Sequence, residues 1–316
     1  MADLDALYQA FNQIGEDPGM ILAPDTAHLV AYGHEVVSQQ SVPGVNVEAH
    51  ADDKGVHARV TVAEGRVIIQ PVHLCFGLFE RFGVQNVDLE LTVEAGAQAT
   101  FWSHCLFMFP DRARHAMDAR ITLMPGARLT YNEVHYHGLS GGIEVVPKAV
   151  VKVGDRARYR ADFSLVQGRV GRLDVDYDAD VGADASAELT SKVYGHLADE
   201  IKLNERVHLN GTNARGLVKT RVAVEDQARA RIVGATYGNA AGARGHVDCM
   251  EIVRGEARAS AVPEVAVTHP LAKVTHEAAI GSVDERQIEA LMARGLDPDA
   301  AADRIILGML AEMGQT

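Results

Sequence analysis

The sequence predicts a mainly β protein: a right-handed parallel β-helix with a short N-terminal helix and a C-terminal helical hairpin. Three observations favour this fold class. Valine-rich segments of alternating polarity fill the middle of the chain, small turn residues recur at a nearly constant spacing, and helical patterns occur only at the ends. The predicted domains are an N-terminal helical segment (1–25), a β-helix core (26–280) and a helical hairpin (281–316).

The N-terminal helix is predicted from apolar residues at helical spacing. Asp17-Pro18-Gly19 follows them and would end the helix. The apolar face would consist of Leu4, Leu7, Tyr8, Phe11 and Ile14.

The β-helix is predicted from the period of its turns. Gly96, Gly126, Gly154, Gly182 and Gly211 follow one another at intervals of 30, 28, 28 and 29 residues. A period near 29 residues indicates a solenoid. The patterns of leucine-rich and ankyrin repeats are missing, and so is the six-residue signal of left-handed β-helices. A coil of paired strands with right-handed winding therefore fits best.

The hairpin is predicted from cap signals and helical periodicity. Ser282 and Glu285 form a capping box, Gly295 stands where a C-cap glycine belongs, and Asp297-Pro298 begins the second helix. Two interpretations stay open: the hairpin caps the last coil, or it docks onto another protein. The apolar residues of the docking surface would be Ile288, Leu291, Met292, Ile305 and Met309.

Composition limits the possible partners and compartments. The chain carries 43 acidic and 30 basic residues, a formal charge of −13, which argues against nucleic acid as a partner. No apolar run approaches the roughly 20 residues that span a bilayer, and the start lacks the features of a signal peptide. Three cysteines without a C-x-x-C motif suit a reducing compartment. We therefore expect a cytoplasmic protein without a membrane partner.

Residues one period apart should stack about 4.8 Å from each other on neighbouring coils. Cys75, Cys105 and His135 are separated by 30 and 30 residues and are predicted to form one row. Phe107 and His137 would form the next row. The alternative is that these cysteines and histidines are inert core residues. Either strand face near Cys105 could point inward, because both are apolar.

A second group of candidate ligands lies near the end of the solenoid. Cys249 and His276 are separated by close to one period, and Glu277 follows directly. Thiolate, imidazole and carboxylate together resemble a set of iron or zinc ligands. A two-fold partner would double the three ligands of one chain, which predicts a metal site at a dimer interface. Ile280 stands where the zinc-peptidase motif H-E-x-x-H needs its second histidine.

Two enzyme motifs are excluded by their context. Residues 138–142 match G-x-S-x-G, but the segment that follows is typical of a strand and not of the helix that a nucleophile elbow needs. The chain also has no P-loop, so ATP binding of that kind is excluded. The sequence therefore predicts that the chain is not itself an ATPase or a hydrolase.

The stretch VTHEAAIGSVDERQIEALMARGLDPDAAADRIILGML resembles the C-terminal signature of the SufB/SufD family, the scaffold subunits of the Suf iron–sulfur cluster assembly machinery. The resemblance runs from about residue 70 to the end of the chain. It implies a β-helix core, a transient iron–sulfur cluster, and C-terminal helices that dock onto a SufC-type ABC ATPase. It also implies a scaffold subunit, with ATP hydrolysis in the partner.

The resemblance carries over to particular residues. Cys249 in GHVDCMEIV is similar to the SufB cysteine that holds the nascent cluster, and His276 and Glu277 are similar to the pair that faces the partner scaffold. Cys105 in WSHC is similar to the cysteine that receives sulfur inside the β-helix. The remaining residues of this sulfur transfer path would be His135, His137 and Lys148.

The chain departs from bacterial SufB in its short start, and from SufD in keeping Cys249. It resembles a compact, stand-alone form that pairs with itself, and its partners would include a sulfur donor and apo-protein acceptors. Two other functions stay open: a β-helix enzyme acting on polysaccharides, and a metal-free adaptor that regulates an ATPase. The sequence leaves open whether the cluster has two or four irons.

Overall fold

The computed structural model describes residue 11 and residues 18–311. It confirms the predicted fold class, a mainly β solenoid of about 8 turns with few helices, near the two ends of the chain. The predicted N-terminal helix lies outside the described residues, apart from Phe11, which is helical and buried. Within the described residues, no helix is long and apolar enough to cross a bilayer.

The solenoid consists of two parallel sheets of ten and nine strands, and successive strands from β5 onward alternate between them. The three described helices are α1 (Pro18–Ile21), α2 (Glu285–Met292) and α3 (Pro298–Ala311). The strands are β1 (His28–Tyr32), β2 (Glu35–Gln40), β3 (Val45–Ala51), β4 (Val56–Val62), β5 (Val72–Gly77), β6 (Phe82–Val93), β7 (Gln98–Phe107), β8 (Arg112–Leu123), β9 (Arg128–His137), β10 (Ile143–Val153), β11 (Arg158–Gln167), β12 (Arg172–Val181), β13 (Ser186–Gly195), β14 (Glu200–Leu209), β15 (Arg215–Val224), β16 (Arg229–Gly238), β17 (Arg244–Val253), β18 (Arg258–Val267) and β19 (Lys273–Gly281).

Each coil contributes one strand to each sheet, so a strand pairs with the second strand along the chain. Strand β13 pairs in parallel with β15, and β15 with β17, so that Ser186 lies beside Arg215 and Arg215 beside Arg244. At the N-terminal end, β1 pairs with β2 and β3 with β4 in antiparallel ladders. The registers confirm the period that the turn glycines predict.

The turns between strands need one left-handed residue, but this residue is not always the predicted glycine. Gly96 and Gly126 have φ values of +67° and +74°. In the later turn that contains Gly211, Asn213 takes the left-handed conformation instead, with φ 57°. Gly211 is required for a different reason: a Cβ there would lie 2.1 Å from the backbone nitrogen of Ala183 on the coil before. Both kinds of position disfavour a larger side chain.

The C-terminal hairpin forms with a different first cap from the predicted one. Asp284, and not Ser282, is the N-cap of α2, and its carboxylate accepts hydrogen bonds from the backbone N–H groups of Arg286 and Gln287. The predicted start of the second helix is confirmed: α3 begins at Pro298. The side chain of Asp297 accepts from two backbone N–H groups of its first turn.

The hairpin lies against the outer face of the ten-stranded sheet and does not cap the last coil. It is held there by an apolar cluster and by Arg254, which donates to Glu225 and to Asp303 of α3 at 3.2 Å each. Most of β19 stays exposed. Met309 is buried in the apolar cluster, so its predicted place on a docking surface is wrong. The cluster consists of Tyr194, Ala223, Val283, Ala302, Ile306, Met309 and Leu310.

Candidate functional site

The interior of the solenoid holds a group of polar side chains among apolar ones. Strand β7 pairs with β9 so that Cys105 lies beside His135 and Phe107 beside His137, which confirms these two predicted neighbours. Glu133 is two residues before His135 and shares its face. One ligand atom each of Cys105, Glu133 and His135 lie within 4.8 Å of one another, and all three residues are buried. No other group of three in the described part of the chain meets this distance.

Cys75 does not join this row, so its predicted position is wrong. Strand β5 pairs with β7 in a register that places Cys75 beside His104, one position short of Cys105. A shift of one residue turns a side chain to the opposite face of the sheet. Cys75 is packed with Phe11 and Ile21 outside the main core. The inward face near Cys105, which the sequence left open, is the one that carries Cys105 itself.

His115 completes the group from the opposite sheet. Its Nε2 atom lies 3.9 Å from Sγ of Cys105, and its ring packs against Phe107 with centroids 5.0 Å apart. Its other nitrogen, Nδ1, is buried and has no hydrogen-bond partner among the described residues. We refer to Cys105, His115, Glu133 and His135 as the interior cluster.

A chain of hydrogen bonds fixes the protonation of these groups. Nδ1 of His137 donates to the carbonyl of Arg169 at 3.2 Å, which leaves its Nε2 as an acceptor. That Nε2 lies 3.2 Å from Nδ1 of His135, which therefore carries a proton. Nε2 of His135 is left to accept from the carboxyl of Glu133, whose Oε1 is 3.0 Å away. The other oxygen of Glu133 accepts from the hydroxyl of Tyr177 at 2.9 Å.

The electrostatics of the cluster agree with this assignment. Burial raises the pKa of Glu133 to about 7 and lowers the pKa of His135 to about 3. Burial and the neighbouring Glu133 raise the pKa of Cys105 above its usual range. The imidazole is therefore neutral, and the thiol and the carboxyl keep their protons in slightly acidic solution.

Sequence reasoning missed two members of this cluster. Glu133 stands in YNEVHYH, where its alternation with His135 and His137 places it on the same strand face. An acidic residue that shares a strand face with two candidate site residues was the available signal. His115 belongs to the other sheet, and no period in the sequence relates it to Cys105. Tyr177 was missed for the same reason.

Lys148 lies outside the solenoid, so its predicted interior position is wrong. In β10 it alternates with the buried residues Pro147 and Ala149 and points to the outer face of the nine-stranded sheet. Its strand neighbours there are Asp118 and Asp176. Lys148 is therefore an exposed residue of the solenoid surface.

The predicted ligands near the last coil are not brought into one group within a single chain. Cys249 lies beside Ala278 and His276 beside Val247, a difference of two positions on the same strand face. Cys249 is only 1% exposed, whereas His276 is exposed on strand β19 of the last coil, which no further coil covers. Glu277 alternates with His276 and points to the outer face of its sheet. A methyl group, that of Ala278, lies between the thiol and the open end.

A row of residues connects the interior cluster with Cys249. Glu205 is buried next to this row, and the hydroxyl of Ser191 donates to its Oε1 at 2.8 Å. On the opposite sheet, Glu205 lies beside Tyr177 in the strand register. The interior row, one residue per coil, consists of Ser103, Glu133, Phe163, Ser191, Thr220 and Cys249.

Acidic side chains surround the end of the interior row. Glu251 lies two residues beyond Cys249 and is 1% exposed, and neither carboxyl oxygen has a hydrogen-bond partner among the described residues. Burial raises the pKa of Cys249 to about 11 and that of Glu251 to about 7. The thiol of Cys249 is therefore protonated near neutral pH.

The fold and these side chains define a β-solenoid protein with metal-ligating groups buried along its axis. The family model described as "SUF system FeS cluster assembly, SufBD core domain" matches residues 80–309. The chain belongs to the SufBD family. This confirms the resemblance that the C-terminal sequence indicates.

Two relatives match almost the whole chain. An iron–sulfur cluster assembly SufBD family protein of Methanocaldococcus jannaschii is 34% identical over 311 residues, which cover 98% of each chain. A protein of Pyrococcus horikoshii with the same family description is 32% identical over 310 residues, or 98% of this chain and 94% of the relative.

Proposed function

We propose that this chain is a scaffold that assembles an iron–sulfur cluster between two copies of itself, together with a separate SufC-type ATPase. Membership of the SufBD family supports cluster assembly. The observation that carries the proposal is the interior row, which starts beside Cys105 and ends at Cys249, one coil beneath the open end. The four intervals between Glu133 and Cys249 span roughly 19 Å at the usual strand spacing.

In this proposal the Cys105 thiolate attacks the outer sulfur of a persulfide on a donor protein; the S–S bond of the donor breaks, its thiolate leaves, and Cys105 becomes a persulfide. The interior row runs from this position toward Cys249. His135 and His137 hold Glu133 in place by hydrogen bonds, and Glu133 accepts the thiol proton of Cys105. The raised pKa of Glu133, which burial brings to about 7, suits it to exchange a proton near neutral pH. A partner protein would supply the sulfur, and apo-proteins would accept the finished cluster.

The open end of the solenoid is the proposed interface. Strands β18 and β19 form the last coil and present edges that no described strand pairs with. The exposed apolar residues of this end include Val267 at 48%, Leu271 at 67% and Ile280 at 50%. A second copy that covers them would bury apolar surface and bring the two Cys249 residues toward each other.

Cys249, His276 and Glu277 are the proposed cluster ligands of each copy. Thiolate binds the iron of a cluster firmly, whereas imidazole and carboxylate oxygen are weaker ligands that ease release. Because Ala278 lies over Cys249, a displacement of the last coil would expose the thiol. ATP hydrolysis in the docked partner would control that displacement.

A charge at the open end should prevent self-association. We expect Ile280→Glu to weaken dimerisation by about tenfold or more, because the carboxylate must lose its water in an apolar contact. Analytical ultracentrifugation over a range of concentrations measures the effect. Ile69→Glu is the matched control, since Ile69 is 90% exposed elsewhere on the solenoid. Equal dissociation constants for the two variants would contradict this interface.

The outer side of the hairpin is the proposed ATPase contact. Met292 is 43% exposed and Leu291 is half-buried. Ile288 and Ile305 are also half-buried but pack against the apolar cluster, so Leu291 and Met292 are the more accessible of the predicted docking residues. We expect Met292→Asp to reduce co-purification with a SufC-type ATPase by about tenfold or more. Met124→Asp is the control, because Met124 has the same 43% exposure far from the hairpin. If both variants retain the ATPase, Met292 is not part of the ATPase contact.

A further inference from the structure

We propose that the interior cluster of Cys105, His115, Glu133 and His135 is itself a binding site for a divalent transition-metal ion. This site is separate from the proposed ligands at the open end. It depends on the geometry of one chain and would exist whether or not a cluster is assembled between two copies.

The distances in the cluster suit coordination. In a tetrahedral site with metal–sulfur and metal–nitrogen distances of about 2.3 and 2.0 Å, ligand atoms are roughly 3.3–3.6 Å apart. Nε2 of His135 and Oε1 of Glu133 are 3.0 Å apart, and Sγ of Cys105 is 3.9 Å from Nε2 of His115. Three of the four donors, those of Cys105, Glu133 and His135, already lie within 4.8 Å of one another. His115 is near Cys105 but outside this group of three, so its ring must move toward Glu133 and His135 to complete a tetrahedral site.

The hydrogen bonds around the cluster orient Nε2 of His135 toward the proposed metal position. Because Nδ1 of His135 donates to His137, its Nε2 has a free lone pair once the proton of Glu133 is gone. Tyr177 holds the second oxygen of Glu133. Such outer contacts fix the orientation of ligands at metal sites. His137 and Tyr177 are therefore positioning residues.

His115 provides the fourth donor. When its Nε2 binds a metal, the proton is on Nδ1, which has no partner among the described residues. Oε1 of Gln85 is also buried without a partner there, and Gln85 lies beside His115 on the neighbouring coil. When the His115 ring binds a metal through Nε2, its Nδ1–H group can donate a hydrogen bond to Oε1 of Gln85.

Charge balance selects a divalent ion. Binding replaces the thiol proton of Cys105 and the carboxyl proton of Glu133, and both protons leave to solvent. The resulting thiolate and carboxylate carry two negative charges that neutralise the ion, while the two imidazoles stay neutral. A buried charge is tolerated only when it is compensated in this way.

The set of one sulfur, two nitrogens and one oxygen favours iron(II), cobalt(II) or zinc(II) over magnesium or calcium, which prefer oxygen alone. The position of His115 is occupied by Val145, Leu173 and Ile201 on the next three coils of the same sheet. The imidazole of His115 is therefore local to this coil and is not repeated on the coils that follow.

Anaerobic titration with cobalt(II) tests the site, because thiolate bound to tetrahedral cobalt gives charge-transfer and visible bands that need no activity. We use Cys249→Ser as the background, so that only the thiols of Cys75 and Cys105 remain. We expect about one cobalt ion per chain in this background. Adding Cys105→Ser should remove the thiolate bands, and adding Tyr177→Phe should weaken binding by roughly 10–100-fold.

Cys249→Ser/Cys75→Ser is the matched control and should keep the bands, since Cys75 is equally buried but faces away from the cluster. Circular dichroism verifies that each variant is folded, and Glu133→Gln is a second, isosteric test that should also remove tight binding. Thiolate bands that persist without Cys105, or their absence from the Cys249→Ser background, would overturn the proposal. Neither result bears on cluster assembly at Cys249, which is measured by iron and sulfide.

Discussion

Replacing Cys249 by serine is expected to reduce the iron and sulfide bound after anaerobic reconstitution to less than about a tenth of the wild-type amount. Thiolate is the ligand that iron–sulfur clusters depend on, and a serine hydroxyl keeps its proton near neutral pH. Cys249 is the proposed thiolate ligand at the end of the interior row, so its loss cannot be offset by His276 and Glu277. Iron and sulfide determination together with visible absorbance measures the result.

Cys75→Ser is the matched control for this experiment. Cys75 and Cys249 have the same 1% exposure, but Cys75 lies outside the main core and should leave the cluster unchanged. Undiminished iron and sulfide in Cys249→Ser would show that this thiol is not a ligand. A wild-type chain that retains neither element would favour the metal-free adaptor.

Glu205→Gln is expected to stabilise the chain at pH 8 by about 3 kcal/mol and to have little effect at pH 5. Glu205 is 1% exposed, and burial raises its pKa from 4.5 to about 7. Between these two pKa values the folded chain binds more protons than the unfolded chain. Stability is therefore lost as the pH rises from about 4.5 to 7, and the penalty is complete above pH 7.

The neutral amide that Glu205→Gln introduces would escape this penalty while keeping a group that can accept from Ser191. Urea unfolding at the two pH values measures the difference in the free energy of unfolding. Glu188→Gln is the control, because Glu188 lies on the same sheet as Ser191 with an exposed side chain. A gain that is equal at pH 5 and pH 8 would contradict the assignment of a raised pKa to Glu205.

The two buried carboxyls Glu133 and Glu205 share one physical setting and differ in their partners. Glu133 is bonded through both oxygens, whereas Oε2 of Glu205 has no partner within the described residues. An unbonded carboxyl oxygen in an apolar interior is destabilising. We therefore expect the stability of the chain to respond more to Glu205, and its metal binding more to Glu133.

The errors in the predicted site have a common origin. The turns repeat with a nearly constant period, but side-chain neighbours depend on the register of each individual pair of strands. Cys105 and His135 are direct partners in their pair. The strand of Cys75 is one position away from the predicted register, and this difference reverses the face of the side chain. Cys249 and His276 are two positions out of register, so they share a face without being neighbours.

The sequence by itself determined the solenoid, its period, the two C-terminal helices and the contact of Cys105 with His135. These features depend on local patterns and on neighbours within one sheet, which a repeat length relates directly. Only the tertiary structure decided that Glu133, His115 and Tyr177 meet, and that the hairpin leaves the last coil open. Contacts between opposite sheets, and the docking of a helix on a sheet, depend on turn geometry and side-chain packing, which no sequence period encodes.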